Sequence, residues 1–285
     1  MIRLLMTTAQ PSDRHPASAS QEAVACSSVM RVEDLEKSFG RNHVLKGLNL
    51  EFPSAATTVV MGPSGCGKSV LLKHLVGLLE PDAGKVWFDD QRIDQIPEPQ
   101  LGPIRRRIGF LFQQGALFDS MTVGQNVEFP LREHTDMSPG ERRVRVDRML
   151  EMVGVSGTYD RNPATLSGGQ RKRVALARAI VLEPDVILYD EPTTGLDPIR
   201  SDIIGKLIER LQNALKLTSI VVTHDIQLSF RIADRMVLLH EGQVHMEGPP
   251  ELFRNSDDPE VRRFLEGRAT RDELAGIEDA REDGS

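Results

Sequence analysis

Thr58-Val59-Val60-Met61-Gly62-Pro63-Ser64-Gly65-Cys66-Gly67-Lys68-Ser69-Val70 decides the fold. Residues 58–61 are apolar or β-branched and predict a short buried strand, and residues 70–79 carry a helical pattern. Between them, residues 62–69 fit G-x-x-x-x-G-K-[ST], a pattern that binds phosphate when it joins a strand to a helix. Its glycines let the backbone wrap closely around phosphate, while amide N–H groups and the helix N-terminus supply donors. Lys68 then reaches the β- and γ-phosphates, and the Ser69 hydroxyl is placed to ligate Mg²⁺. Outward from this segment, β-like runs at 108–112, 186–190, 220–223 and 236–240 alternate with helical patterns. That alternation predicts an α/β fold with a mainly parallel sheet, and no repeat of solenoid period interrupts it.

Val186-Ile187-Leu188-Tyr189-Asp190-Glu191 is an apolar run ending in two carboxylates, as a buried parallel strand delivers acids at its carboxyl end. Phosphoryl transfer needs both: Asp190 to hold Mg²⁺ through water and Glu191 to polarise the water that attacks the γ-phosphate. Leu166-Ser167-Gly168-Gly169-Gln170 precedes the helical run 171–182 and forms a second anion cradle of hydroxyl and amide donors. One phosphate loop and a separate second cradle imply that the second serves a partner's nucleotide. Ile220-Val221-Val222-Thr223-His224-Asp225 brings His224 to the end of another buried strand, a place from which an imidazole can contact γ-phosphate; a structural histidine is the alternative.

The 285 residues are 39% hydrophobic and 27% charged, which excludes a fibrous or wholly disordered chain. Thirty-five Lys and Arg against 42 Asp and Glu give a formal charge of −7, without the basic excess of a nucleic-acid binder, so no nucleic acid is expected as a partner. The apolar run at 70–79 is broken by Lys73 and His74, far short of the roughly 18 to 20 residues a bilayer span requires. Cys26 and Cys66 are the only cysteines, and Cys66 lies in the phosphate loop, where a disulfide is incompatible with function. A reducing, cytoplasmic compartment is therefore expected. The short apolar start at Met1 is followed by Thr7, Thr8, Gln10, Pro11 and Asp13, too soon for an export signal. The expected organisation is a flexible arm at 1–28, one domain at 29–255 with a helical part at about 114–180, and an extension at 256–285 that is partly helical and then acidic.

In order and spacing, these motifs resemble those of ABC-transporter ATPase subunits over roughly residues 29–253. Residues 62–69 resemble Walker A, 166–170 the signature, 186–190 Walker B with Glu191 as catalytic glutamate, and His224 the H-loop residue. Gly195-Leu196-Asp197 resembles the D-loop, and Gln113 in Phe110-Leu111-Phe112-Gln113 the Q-loop glutamine, which the family uses to link nucleotide and metal to the membrane partner. Phe39, in Glu36-Lys37-Ser38-Phe39-Gly40, falls where the family places an aromatic that stacks on adenine; a core aromatic of the first small sheet is the alternative. The resemblance implies a P-loop NTPase fold with a RecA-like core, an antiparallel β-subdomain and a helical signature subdomain. It also implies ATP and Mg²⁺, the latter held by Ser69, Gln113 and Asp190, and a head-to-tail dimer. In that dimer, nucleotide on residues 62–69 of one subunit is closed over by Ser167, Gly168, Gly169 and Gln170 of the other, with Asp197 coupling the two sites.

Within that family, Gln113-Gln114-Gly115-Ala116-Leu117-Phe118, Pro130-Leu131-Arg132-Glu133-His134-Thr135 and the segment 258–267 resemble the ATPases of Mla/Mce-associated phospholipid transporters. That resemblance implies a permease, an Mce-domain substrate-binding protein, in some systems a STAS-domain regulator, and a position on the inner face of the cytoplasmic membrane. An importer for another solute and a non-transport clamp are the competing functions. Phe118, Met121, Val123 and Phe129 read either as subdomain core or as a groove for a permease helix. Arg105, Arg106 and Arg107 read as a solvated helical face. Ile199, Ile203, Leu207 and Leu211 are expected to pack on the sheet. Val261, Phe264 and Leu265 are expected to dock on the domain itself or on the dimer partner.

Overall fold

The computed structural model describes residues 28–268; the expected flexible arm and acidic tail lie outside the described residues, apart from Ser28. In chain order the elements are β1 (Ser28–Phe39), β2 (Asn42–Pro53), β3 (Thr57–Met61), α1 (Lys68–Leu75), β4 (Ala83–Phe88), β5 (Gln91–Arg92), α2 (Gly102–Arg106) and β6 (Ile108–Leu111). Then follow α3 (Val123–His134), α4 (Pro139–Met152), α5 (Gly168–Ile180), β7 (Val186–Asp190), α6 (Pro198–Leu215) and β8 (Thr218–Val222). The described chain closes with α7 (Ile226–Ile232), β9 (Arg235–His240), β10 (Gln243–Gly248), α8 (Pro250–Arg254) and α9 (Pro259–Glu266).

Two sheets form. A four-stranded antiparallel sheet runs in the order β2-β1-β4-β5, and a six-stranded sheet runs β10-β9-β3-β8-β7-β6 with only β10 antiparallel. The parallel strands are apolar on both faces because successive side chains enter two different cores. Val59 and Met61 join a core with α3 to α6, whereas Val60 joins the core under α1 and the antiparallel sheet. Ile187 and Tyr189 on one face, and Val186 and Leu188 on the other, repeat the division. Leu71, Leu72 and Leu75 of α1 are fully buried in the second core, each contributing about 1.5–3 kcal/mol of hydrophobic stabilisation.

The helix expected at 70–79 begins earlier and ends sooner: α1 opens at Lys68 after Gly67 in left-handed backbone and stops at Leu75, with Gly77 at φ +65. Ser167 and Gln170 form a capping box at the start of α5, in which the Ser167 hydroxyl accepts from the Gln170 N–H at 3.3 Å and the Gln170 side chain accepts from the Ser167 N–H at 3.0 Å. This cap defines where the signature segment meets its helix. Thr122 with Gln125 and Ser138 with Glu141 start α3 and α4 in the same way.

Two expectations are corrected. On α6, Leu207 and Leu211 are buried as expected, but Ile199 and Ile203 are 75% and 45% exposed, and Ile204 and Ile208 take the buried positions. Both alternatives obey helical spacing, and the sheet selects the stripe one residue further along. Arg105 and Arg107 are not a merely solvated face. Arg105 bonds Glu98 and the carbonyls of Val76 and Gly77, and Arg107 pairs with Asp89 and Asp185, tying α2 to the turns around it.

The extension docks on its own domain. Asp258 caps α9 through the Glu260 and Val261 amides, Val261 is completely buried in the main core, and Phe264 and Leu265 pack against it. Val261→Ala is expected to destabilise the chain by about 1–3 kcal/mol, read as a lower denaturant midpoint at unchanged slope. An unaltered midpoint would remove the anchoring role of α9.

Candidate functional site

Strand register assembles the site. Val60 of β3 and Asp190 of β7 both pair with Val222 of β8, so these carboxyl ends lie side by side. Gly62 stands two residues past Val60, Glu191 one past Asp190, and His224 two past Val222. This is the crevice beyond the carboxyl ends of parallel strands where α/β sheets bind ligands.

The phosphate loop is built around positions that exclude a side chain. A Cβ on Gly62, at φ +150, would meet the Leu239 carbonyl oxygen at 2.3 Å, and one on Gly67, at φ +105, would meet Leu45 at 2.6 Å. Pro63, Ser64 and Gly65 form the crest of the turn, and Cys66 is buried beneath it. Burial pushes the Cys66 thiol up, against the opposing charge of Lys68. Lys68 is 8% exposed and its Nζ donates to the carbonyls of Gly62 and Pro63 at 2.8 and 2.9 Å.

Ser69 Oγ donates to Asp190 Oδ1 at 2.8 Å, joining loop and strand. Burial pushes the Asp190 carboxyl up, with the Ser69 bond working in the opposite direction. Glu191 has φ +49, left-handed backbone that costs a residue with a side chain about 1–2 kcal/mol. Its N–H donates to the Val222 carbonyl at 2.9 Å, and Lys172 Nζ donates to its carbonyl at 3.3 Å. Its Oε2 accepts from Thr194 Oγ1 at 3.2 Å and lies 2.9 Å from His224 Nδ1. The Glu191 carboxylate is 12% exposed while the His224 ring is 66% exposed, so the acid is recessed and the imidazole open.

The expected site residues thus separate into two groups. Residues 62–69, Asp190, Glu191 and His224 converge. Among the described residues no hydrogen bond or ion pair joins them to Ser167, Gly168, Gly169 or Gln170. Gly168 and Gly169 instead lie against Leu196 of the D-loop segment and the first turn of α6 in the same chain: a Cβ on Gly168 would be 3.7 Å from Leu196, and one on Gly169 would be 3.6 Å from Arg200. Asp197 caps α6, accepting the Arg200 N–H at 3.0 Å. Gln113 is exposed two residues past Leu111, which pairs with Tyr189 at the edge of the same crevice. Phe39 is 49% exposed with Lys37 Nζ 5.8 Å from its ring centroid, so the core-aromatic alternative is excluded.

Lys172 and Thr194 were not singled out in the sequence, where one reads as part of a basic helix and the other as a turn residue. Only the fold shows that both touch Glu191. Of the groove candidates, Val123 is core, whereas Phe118 and Phe129, 5.2 Å apart, face a groove shared with Phe110, Phe112, Pro130 and Arg178. No helix among the described residues is long and apolar enough to cross a membrane.

Residues 45–194 match the family described as ABC transporter. The chain is 42% identical over 239 residues to the probable ribonucleotide transport ATP-binding protein mkl of Mycobacterium leprae, covering 84% of this chain and 69% of that protein. It is 43% identical over 242 residues to the intermembrane phospholipid transport system ATP-binding protein MlaF of Haemophilus influenzae, covering 85% of this chain and 92% of that protein. Among solved structures, a dimeric ATP-binding cassette in a post-hydrolysis state bound to ADP and Pi aligns with TM-score 0.72 and 35% identity, over 78% of this chain and 98% of that one. Because the family match spans over half of the chain and takes in the phosphate loop, residues 166–170 and the acid pair Asp190 and Glu191, this chain belongs to the ABC transporter family, as one of its ATP-binding ATPase subunits.

Proposed function

We propose that this chain is the ATP-hydrolysing motor of a phospholipid transporter, acting as a head-to-tail pair docked on an integral-membrane permease. The observation that carries the motor reading is the division of the site: the phosphate loop, Asp190, Glu191 and His224 converge, while the signature cradle stands apart and faces its own D-loop segment. A second copy completes each site by bringing Ser167, Gly168, Gly169 and Gln170 over the first copy's nucleotide, with Asp197 coupling the two. This matches the dimeric assembly named for the solved relative. The phospholipid cargo rests on the near-full-length likeness to the phospholipid transport protein MlaF.

Residues 62–67 cradle the phosphates through backbone amides, and Lys68 exchanges its loop carbonyls for phosphate oxygens. Phe39, open at the end of β1, stacks on adenine. Ser69 and Asp190 offer a hydroxyl and a carboxylate 2.8 Å apart; hard oxygen donors so placed fit Mg²⁺, and Gln113 is the third candidate. Bound there, Mg²⁺ would neutralise charge on the β- and γ-phosphates. Glu191 orients the attacking water and accepts its proton, His224 contacts the γ-phosphate oxygens, and Thr194 fixes the orientation of the Glu191 carboxylate. The groove at Phe118 and Phe129 receives a helix of the permease, which holds the chain at the cytoplasmic face of the membrane. An Mce-domain substrate-binding protein, and a STAS-domain regulator, complete the proposed assembly.

A mild-detergent pull-down of tagged chain carrying Glu191→Gln, with mass spectrometry of proteins and lipids, tests the reading. A permease with an Mce-domain protein and bound phospholipid is the expected result. A permease with a ribonucleotide or other solute receptor would overturn the cargo, and the absence of any membrane protein would favour a clamp.

A further inference from the structure

Lys172 is a charged residue that the ATPase reading leaves without a task. It lies on α5, five residues after Ser167, and is 7% exposed. Among the described residues no carboxylate forms an ion pair with it. Taking an ammonium out of water is costly unless it is hydrogen-bonded, and burial pushes its pKa down while the Glu191 charge acts in the opposite direction. Its Nζ donates to the backbone carbonyl of Glu191 at 3.3 Å.

We propose that Lys172 is a positioning residue for Glu191: it holds the left-handed peptide at Glu191 so that the carboxylate meets the attacking water only when α5 is correctly seated. Glu191 is gripped at both ends of its backbone, at N–H by the Val222 carbonyl of β8 and at C=O by Lys172 of α5. Its φ of +49 is a conformation a residue with a side chain leaves unless it is held. The cation also lies on the helix whose first residues form the signature cradle. Lys172 thus ties the helix that opens with the cradle to the catalytic carboxylate of its own chain. The two sites of a pair are thereby linked through one helix. This inference rests on the reading of Glu191 as the water-orienting base.

The test is steady-state ATP hydrolysis by the full-length chain as wild type, Lys172→Met, Lys172→Arg and Glu191→Gln. Lys172→Met is expected to lower kcat by ~10-fold or more with KM for ATP within about 2-fold, and Lys172→Arg to restore most of the rate. In the Glu191→Gln background, Lys172→Met should leave ATP-dependent dimerisation intact, a result that mere support of α5 does not give. Wild-type kcat in Lys172→Met, or loss of dimerisation in the double variant, would overturn the proposal. Should Lys172→Met melt early, Lys172→Gln carries the same comparison, and a wild-type kcat there is equally fatal. Wild-type hydrolysis by Glu191→Gln would remove the base reading beneath it. An inactive Glu191→Gln beside a fully active Lys172→Met removes the positioning role alone.

Discussion

Glu191→Gln is expected to cut steady-state ATP hydrolysis by ~10²–10⁴-fold, the usual worth of a positioned general base, while leaving ATP binding intact. The amide matches the carboxylate in size and still accepts from Thr194 Oγ1, which lies 3.2 Å from Oε2. The backbone grip from Val222 and Lys172 is unchanged by the substitution. What disappears is the capacity to take a proton from water and the charge opposite His224, 2.9 Å away. Binding without hydrolysis leaves closed pairs with no route to reopen, so the variant should run as a dimer in size-exclusion chromatography with Mg·ATP and as a monomer without it. A monomer at saturating Mg·ATP would contradict the assigned role of Glu191 and the head-to-tail pairing together.

Lys68→Ala should weaken ATP binding by roughly 10²-fold or more in Kd. Two losses combine. The Lys68 ammonium bonds the Gly62 and Pro63 carbonyls at 2.8 and 2.9 Å, and alanine leaves both oxygens without that donor, loosening the loop before nucleotide arrives. Alanine also removes the cation that meets the β- and γ-phosphates. Hydrogen bonds to a charged group contribute about 1.5–3 kcal/mol each, and ~3 kcal/mol corresponds to a little over 10²-fold in Kd. Titration calorimetry measures this directly, and the thermal shift that ATP confers on the wild type should vanish in the variant. Undiminished affinity would undo the phosphate-loop assignment.

The loop at 62–69, the acid pair Asp190 and Glu191, the alternation of strands and helices, and the hydroxyl-and-glycine run 167–169 at the start of a helix were legible in the order of residues. Each is local: glycine spacing, an apolar run ending in carboxylates, and a serine followed by two glycines depend on neighbours a few positions away. Three features lay beyond that range. The phase of α6 was ambiguous because Ile199 and Ile203 obey the same spacing as Ile204 and Ile208, and only the sheet beneath decides which stripe is buried. Phe39 reads alike as exposed or as core in the sequence, and the folded chain leaves it 49% exposed. Lys172 and Glu191 stand 19 positions apart and meet only because β7 carries the acid beneath α5. Local chemistry thus named the candidate phosphate-handling groups. Long-range packing decided which of them touch, since contact between distant residues is set by register and burial that no short window of sequence contains.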